Sequence, residues 1–140
     1  MAESDISVAT TIVVAAVIRD AVGRILLARR PATAHMGGLW EFPGGKVNAG
    51  ESPVTGLERE LAEELGLTAS IGAPLTFAVH EEPGMRILLL FFAVAIGSGS
   101  TPKPLEGQEI AWVEPENLGS YPTPPADAEL VKLLIAGRMP

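Results

Sequence analysis

Apolar residues are spaced along this chain in two ways, and the spacing predicts strands alternating with two helices. Ile12 to Ile18 is an unbroken, largely β-branched apolar run, the pattern of a strand covered on both faces. Asp20-Ala21-Val22-Gly23 reads as a turn, and Arg24 to Ala28 as the returning strand. A loop over 31–39 ends in Gly37-Gly38, and a short strand is expected over Trp40 to Phe42. Leu75 to His80 and Arg86 to Ile96 read as two more strands, joined by the turn-rich Glu81-Glu82-Pro83-Gly84-Met85. Gly97 to Pro102 predicts a flexible loop, and Ile110 to Val113 a last short strand. Helical spacing occurs twice. Val54, Leu57, Leu61 and Leu65 recur at three- and four-residue steps between Ser52-Pro53, a good helix start, and Gly66, a good stop. Ala126 to Ala136 is the second helix, stopped by Gly137. Strands mixed with two helices suggest a sheet covered on both faces. No repeat or long linker divides the 140 residues, which predicts one domain over 1–140.

Composition narrows the chemistry. With no cysteine, disulfides, thiolate metal sites and a cysteine nucleophile are all excluded. Ten basic against seventeen acidic residues leave a net charge of −7, which argues against a broad nucleic-acid surface. The same charge repels a nucleotide polyphosphate at long range, so a site for one would need bound cations. Acidic residues stand in MAESDISVATT where a signal peptide would be basic, and the apolar runs at 12–18 and 87–96 are too short to cross a bilayer. The expectation is a cytoplasmic enzyme, monomer or homodimer, with neither membrane nor nucleic acid as partner.

The chemistry concentrates in residues 45–67, GKVNAGESPVTGLERELAEELGL, where a helix crowded with carboxylates follows a glycine-rich loop. Such crowding costs stability unless cations sit among the acids. Hard divalent cations prefer oxygen ligands, and phosphate is their usual partner. Glu60 and Glu64 are four apart and share one helix face, and Glu63 between them can reach the same space. Arg59 stands four from Glu63 and could equally brace Glu51. Taken alone, the stretch is just as well an ordinary solvated acidic helix with one ion pair.

The full string is more specific. Gly45, five residues, Glu51, seven residues, then Arg59-Glu60-Leu61-x-Glu63-Glu64-x-Gly66-Leu67 matches the Nudix box at every fixed position. The chain therefore resembles the Nudix hydrolases, a family that cleaves nucleoside diphosphates linked to another moiety. Arg29-Arg30-Pro31-Ala32-Thr33-Ala34-His35-Met36, Trp40-Glu41-Phe42-Pro43-Gly44-Gly45-Lys46 and Tyr121-Pro122-Thr123-Pro124-Pro125-Ala126-Asp127 are similar to its MutT branch. The resemblance implies an α/β fold, an α/β/α sandwich with a mixed β-sheet between helices. It also implies Mg2+, with Mn2+ as an alternative, held by Glu60, Glu63 and Glu64 with the Gly45 carbonyl as an extra ligand. Gly44-Gly45 is otherwise a plain tight turn, and Lys46 either meets a phosphate or is a solvated lysine.

The proton acceptor in this family comes from the box helix or from a distal loop glutamate. The MutT branch can carry a glutamate directly before the tryptophan, but Ala111 precedes Trp112 here. Glu109 is the nearest substitute, with Glu106 behind it, and otherwise Glu60 or Glu64 must serve. Where MutT-like enzymes read an oxidised guanine with an asparagine, this chain has Asp127. An ionised aspartate only accepts hydrogen bonds, as from cytosine or adenine amino groups, whereas a protonated one also donates. The alternative reading of Asp127 is that it merely favours a helix N-terminus through the dipole. Arg30 and Glu41 align with substrate-side positions or form a surface ion pair, and Phe42 either stacks on a base or belongs to the core. His80 either contacts nucleotide or is structural, His35 lies in a loop that can close over substrate, and Trp112 reads as packing.

Three functions follow. The first is a pyrophosphohydrolase taking a nucleoside triphosphate to the monophosphate and pyrophosphate, with 8-oxo-dGTP ahead of CTP or modified dCTP. The second is hydrolysis of another diphosphate such as ADP-ribose, to which Pro83 points unless it merely makes a Pro-Gly turn. The third, a non-catalytic nucleotide sensor, sits badly with a complete set of box glutamates.

Overall fold

The apolar run near the N-terminus becomes the spine of the sheet. The computed structural model describes residues 9–97 and 99–139. Its elements are β1 (Thr10–Arg19), β2 (Ile25–Arg29), β3 (Trp40–Glu41), β4 (Gly44–Lys46), α1 (Pro53–Leu65), β5 (Ser70–Glu82), β6 (Met85–Ala95), β7 (Glu109–Val113) and α2 (Ala128–Ile135). In β1, Val14 to Ile18 are all buried. Val14, Ala16 and Ile18 face one core with Leu57, Leu61 and Leu65 of α1. Ala15 and Val17 face the other, with Leu118 and with Leu130 and Leu134 of α2. Alternation along a strand thus serves two helical layers, and the architecture is an α/β/α sandwich.

The sheet is mixed. β6 runs parallel to β1 along its full length, from Thr10↔Arg86 to Arg19↔Ala95, and β5 pairs antiparallel on the outer side of β6. On the opposite side β1 and β2 pair only at Arg19↔Ile25, and then diverge. β4 fills the fork against Val13, Val14 and Ala15 of β1, while β7 pairs with the whole of β2. Gly44 is required there, because a Cβ would overlap the Val14 carbonyl. The Ala16 amide donates to the Pro43 carbonyl and the Val47 amide to the Ile12 carbonyl, locking the glycine loop to the spine.

Helix α1 has the expected ends. Ser52 Oγ accepts from the Thr55 amide at 3.1 Å, and Gly66 takes φ 65. Its stripe differs at one position: Val54 is 40% exposed, and Gly56 holds the inward place in the first turn. There Val47 and the Glu51 carboxylate close so tightly over Gly56 that a side chain would press on both.

Other departures have local causes. β5 starts at Ser70 rather than Leu75, because Gly72 and Pro74 fall at register shifts on an edge strand, where a lost N–H is tolerated. Gly44 to Lys46 has no strand-like pattern, and is a strand only because the fork needs a third partner. The last helix begins at Ala128, with Pro125–Asp127 forming a 3-10 turn before it, and a second 3-10 turn over Pro115–Ser120 brings in Leu118. Among the described residues, no helix is long and apolar enough to cross a membrane.

Leu61 has no exposed surface, so Leu61→Ala should lower unfolding free energy in urea by about 3 kcal/mol. Ser52→Ala should lower it by about 1 kcal/mol through loss of the cap alone. Equal losses would contradict this assignment of cap and core.

Candidate active site

Arg59 organises the acidic end of the molecule. Its Nε donates to Glu51 Oε2 at 2.7 Å and its Nη2 to Glu51 Oε1 at 3.0 Å, a two-pronged pair. Nη2 also reaches the Lys46 carbonyl at 3.0 Å, so α1 is tied to β4. Nη1 bridges Glu60 Oε2 at 3.0 Å and Glu63 Oε1 at 3.2 Å. Hydrogen bonds from Arg59, and then from the Asn48 amide, hold Glu51 below the usual carboxylate range. Arg59 in turn is held above its ordinary value, mainly by Glu51.

The Glu60 carboxylate lies against Gly45, where a Cβ would fall within 2.5–2.8 Å of its Cδ and oxygens. Glu64 stands next to it, one turn along the helix. Burial, the hydrogen bond to Glu60 and the charges of Glu60, Glu106 and Glu41 push the Glu64 carboxyl up to about 9. The expected convergence of three glutamates is met by two. Glu63 is engaged by Arg59 and more than half exposed, because position 63 lies around the helix from the 60–64 face. Among the described residues, no three His, Cys, Asp or Glu side chains form a ready cation cage. Two touching carboxylates that cannot both ionise cheaply, backed by a glycine whose backbone comes close, still match the needs of a hard divalent cation.

The distal loop is fastened to the same helix end. The Leu105 amide and Gln108 Nε2 both donate to the Glu64 carbonyl, at 3.1 and 3.0 Å. Glu106 therefore stands close enough for its charge to act on Glu64. Glu109 points elsewhere, pairing with Arg29 at 3.3 Å on the exposed side of β7. Spacing from Trp112 favoured Glu109, but the loop's turn at Gly107 (φ 74) brings Glu106 toward Glu64 instead. Trp112 packs against the core, as expected.

A cleft of about 390 Å3 opens from Gly44, Gly45 and Lys46 and runs toward Asp127. The Trp40 amide donates to the Pro122 carbonyl, which brings the segment before α2 alongside β3 and so into the cleft wall. Arg30 Nε pairs with Glu41 at 2.9 Å, and Arg30 Nη1 reaches the His35 carbonyl at 3.0 Å. Burial raises Glu41, and Arg30 offsets part of that rise. Phe42 is buried, stacked edge-to-face on Phe91 at 6.0 Å, with one side on the cleft. His80 lines the opposite wall and pairs with Glu82 at 2.8 Å. Asp127 is only 4% exposed. Burial, then the charge of Glu41, push its carboxyl up to about 7, against the pull of Arg30.

Arg30, His35, Glu41, Phe42, Lys46, His80 and Asp127, singled out in the sequence, thus share one cleft with Gly45. The sequence reading missed Glu82, Met36 and Met85, which also line it. Glu82 and Met85 had looked like turn residues. Met36 carries a signal only the backbone shows, a φ of 55 in a non-glycine residue.

The model of the NUDIX domain family matches residues 13–133. A CTP pyrophosphohydrolase from Escherichia coli K12 is 44% identical over 127 residues, covering 90% of this chain and 92% of that protein. An 8-oxo-dGTP diphosphatase from Haemophilus influenzae is 39% identical over 123 residues, covering 88% and 90%. The crystal structure of a MutT protein from Methanosarcina mazei Go1 superposes with a TM-score of 0.82 at 28% identity, covering 95% and 98%.

The Asp127 environment makes stability depend on pH. A carboxyl raised from 3.8 to about 7 by folding keeps its proton in the folded state after the unfolded chain has lost it, so folding weakens as pH rises across that window. Asp127→Asn removes the penalty, and its melting temperature relative to wild type should therefore be more favourable at pH 8 than at pH 5. A difference independent of pH would show that the buried carboxyl carries no such penalty.

Proposed function

This chain belongs to the Nudix hydrolase family, and we propose that it hydrolyses nucleoside triphosphates to the monophosphate and pyrophosphate. The observation that carries the reading is a single cleft that runs from Gly45, whose backbone the Glu60 carboxylate lies against, to buried Asp127. A phosphoanhydride needs its oxygens neutralised and a water activated, and a base needs a polar reader in an apolar slot.

Nudix hydrolases work with a divalent cation, and we assign Mg2+ here, with Mn2+ as an alternative. Glu60 and Glu64 would hold it, with Glu63 and the Gly45 carbonyl as further ligands, and it would supply charge neutralisation on the phosphates and a more acidic water. Arg59 acts by position, holding Glu60 on the helix face and α1 against β4. Lys46, at the cleft edge without an ion-pair partner among the described residues, suits a phosphate oxygen. Water attacks the bridging phosphoryl group, and Glu106 is assigned as the residue that takes its proton. Support comes from its electrostatic contact with Glu64 and from the pairing of Glu109 with Arg29.

At the base end, Asp127 reads the nucleobase, Phe42 packs beside it, and Arg30, Glu41 and His80 shape the wall. A neutral Asp127 offers a donor and an acceptor side by side, suiting the N–H and carbonyl edge of an oxidised guanine. We therefore place 8-oxo-dGTP first. CTP or modified dCTP is the second reading, favoured by an ionised Asp127 that accepts from the cytosine amino group and by the identity with the CTP pyrophosphohydrolase.

Glu64→Gln should lower kcat by on the order of a hundredfold or more with Mg2+ present, and unchanged turnover would sink the catalytic reading. Glu106→Gln should cost on the order of a hundredfold, while Glu109→Gln, losing only an exposed pair, should stay within about twofold. The reverse order would return the role to Glu109. A panel of 8-oxo-dGTP, dGTP, CTP, dCTP and ADP-ribose ranked by kcat/KM should put the first or third ahead. Asp127→Asn should reorder that ranking, and an unchanged order removes Asp127 from base selection.

A further inference from the structure

The base end of the cleft contains a buried carboxyl that no side chain among the described residues pairs with, the charge of Arg30 acting on it only from a distance. Asp127 is 4% exposed, and no side-chain cap bond ties its carboxyl to the helix it precedes. Among the described residues, no group hydrogen-bonds to that carboxyl. The two neighbouring acids differ from it in this respect. Glu41 is held by Arg30 at 2.9 Å, and Glu82 by His80 at 2.8 Å. Arg30 has its other arm on the His35 carbonyl, which leaves it little freedom to turn toward Asp127.

The start of α2 does not resolve this. A helix N-terminus favours an anion nearby, yet the Asp127 side chain makes no cap bond there, and burial and the charge of Glu41 still push its carboxyl up to about 7. The surrounding wall contains the Phe42 ring and the polarisable Met36 and Met85. Aromatic faces and thioethers favour flat, charge-delocalised groups over compact hydrated ions. An oxidised but neutral base brings hydrogen-bond donors to this place without the missing charge.

We propose that the base end selects nucleoside triphosphates whose base carries a formal positive charge, the ring-N-alkylated forms of cytosine, adenine and guanine, with Asp127 as counter-ion. The inference rests on reading the cleft as a nucleoside triphosphate site and names a substrate class within it. Alkylation at cytosine N3 or adenine N1 spreads positive charge onto the exocyclic amino group, whose N–H then makes a charge-assisted bond to the carboxylate. The cation keeps Asp127 ionised and also offsets the charge of Glu41.

The test compares cationic and neutral methyl isomers on the same triphosphate: 3-methyl-dCTP against 5-methyl-dCTP, and 7-methyl-dGTP against O6-methyl-dGTP. Wild-type kcat/KM should favour the cationic member of each pair by about tenfold. Asp127→Asn, or Asp127→Ser should the first fold poorly, should bring both ratios toward one. A wild-type ratio of one or less, with hydrolysis proceeding, overturns the proposal and leaves the function reading intact. Absence of hydrolysis of every nucleotide overturns the function reading instead. In that case the same pairs measured as Kd by equilibrium dialysis decide the inference, a preference for the cations supporting it and equal binding overturning it.

Discussion

Two carboxylates pressed together inside a protein demand an explanation, and the rest of this molecule supplies one. Glu60 and Glu64 repel when both are ionised, and burial deepens the cost. They stay together because α1 cannot shift. Arg59 clamps it to the Glu51 loop and to the Lys46 carbonyl, while Leu57, Leu61 and Leu65 seat its other face on the sheet. The apolar stripe provides the stability and the arginine provides the position. The strain left in the acid pair is what a divalent cation would relieve under the proposed function.

The fork between β1 and β2 is the second constraint. Strands that paired along their full length would leave no space for β4, and Gly45 would not reach the Glu60 carboxylate. Divergence after Arg19↔Ile25 opens that space, and the parallel pairing of β6 with all of β1 keeps the sheet intact despite it. The Gly45 end of the cleft is therefore built on rigid elements. The Asp127 end is assembled from a loop, a hairpin and the approach to α2, segments that tolerate change in sequence more readily.

Much of this was legible beforehand, for reasons specific to each segment. The ends of the box helix could be read to the residue because its cap and stop are local signals, whereas its stripe was misplaced at Val54, where Gly56 faces inward instead. The buried spine could be read because two-sided burial leaves a continuous apolar run. β4 could not, since a Gly-Gly-Lys strand exists only through its partner. The start of β5 was hidden because Gly72 and Pro74 argue against a strand unless it is known to lie at an edge. Glu82 and Met85 looked like turn residues because their side of the hairpin is defined by what lies across the cleft.

By itself, the order of residues determined which side chains this protein has for chemistry and which of them share a helix face. Helical periodicity is a property of neighbours in sequence, so the Glu60–Glu64 pair was readable without coordinates. Only tertiary structure decided that Glu63 is engaged by Arg59, that the charge of Glu106 rather than Glu109 bears on Glu64, and that Asp127 lies buried with no hydrogen-bond partner for its carboxyl among the described residues. Each of those outcomes depends on distances between segments far apart in the chain, and on the solvent those segments exclude. Neither quantity has a local signature.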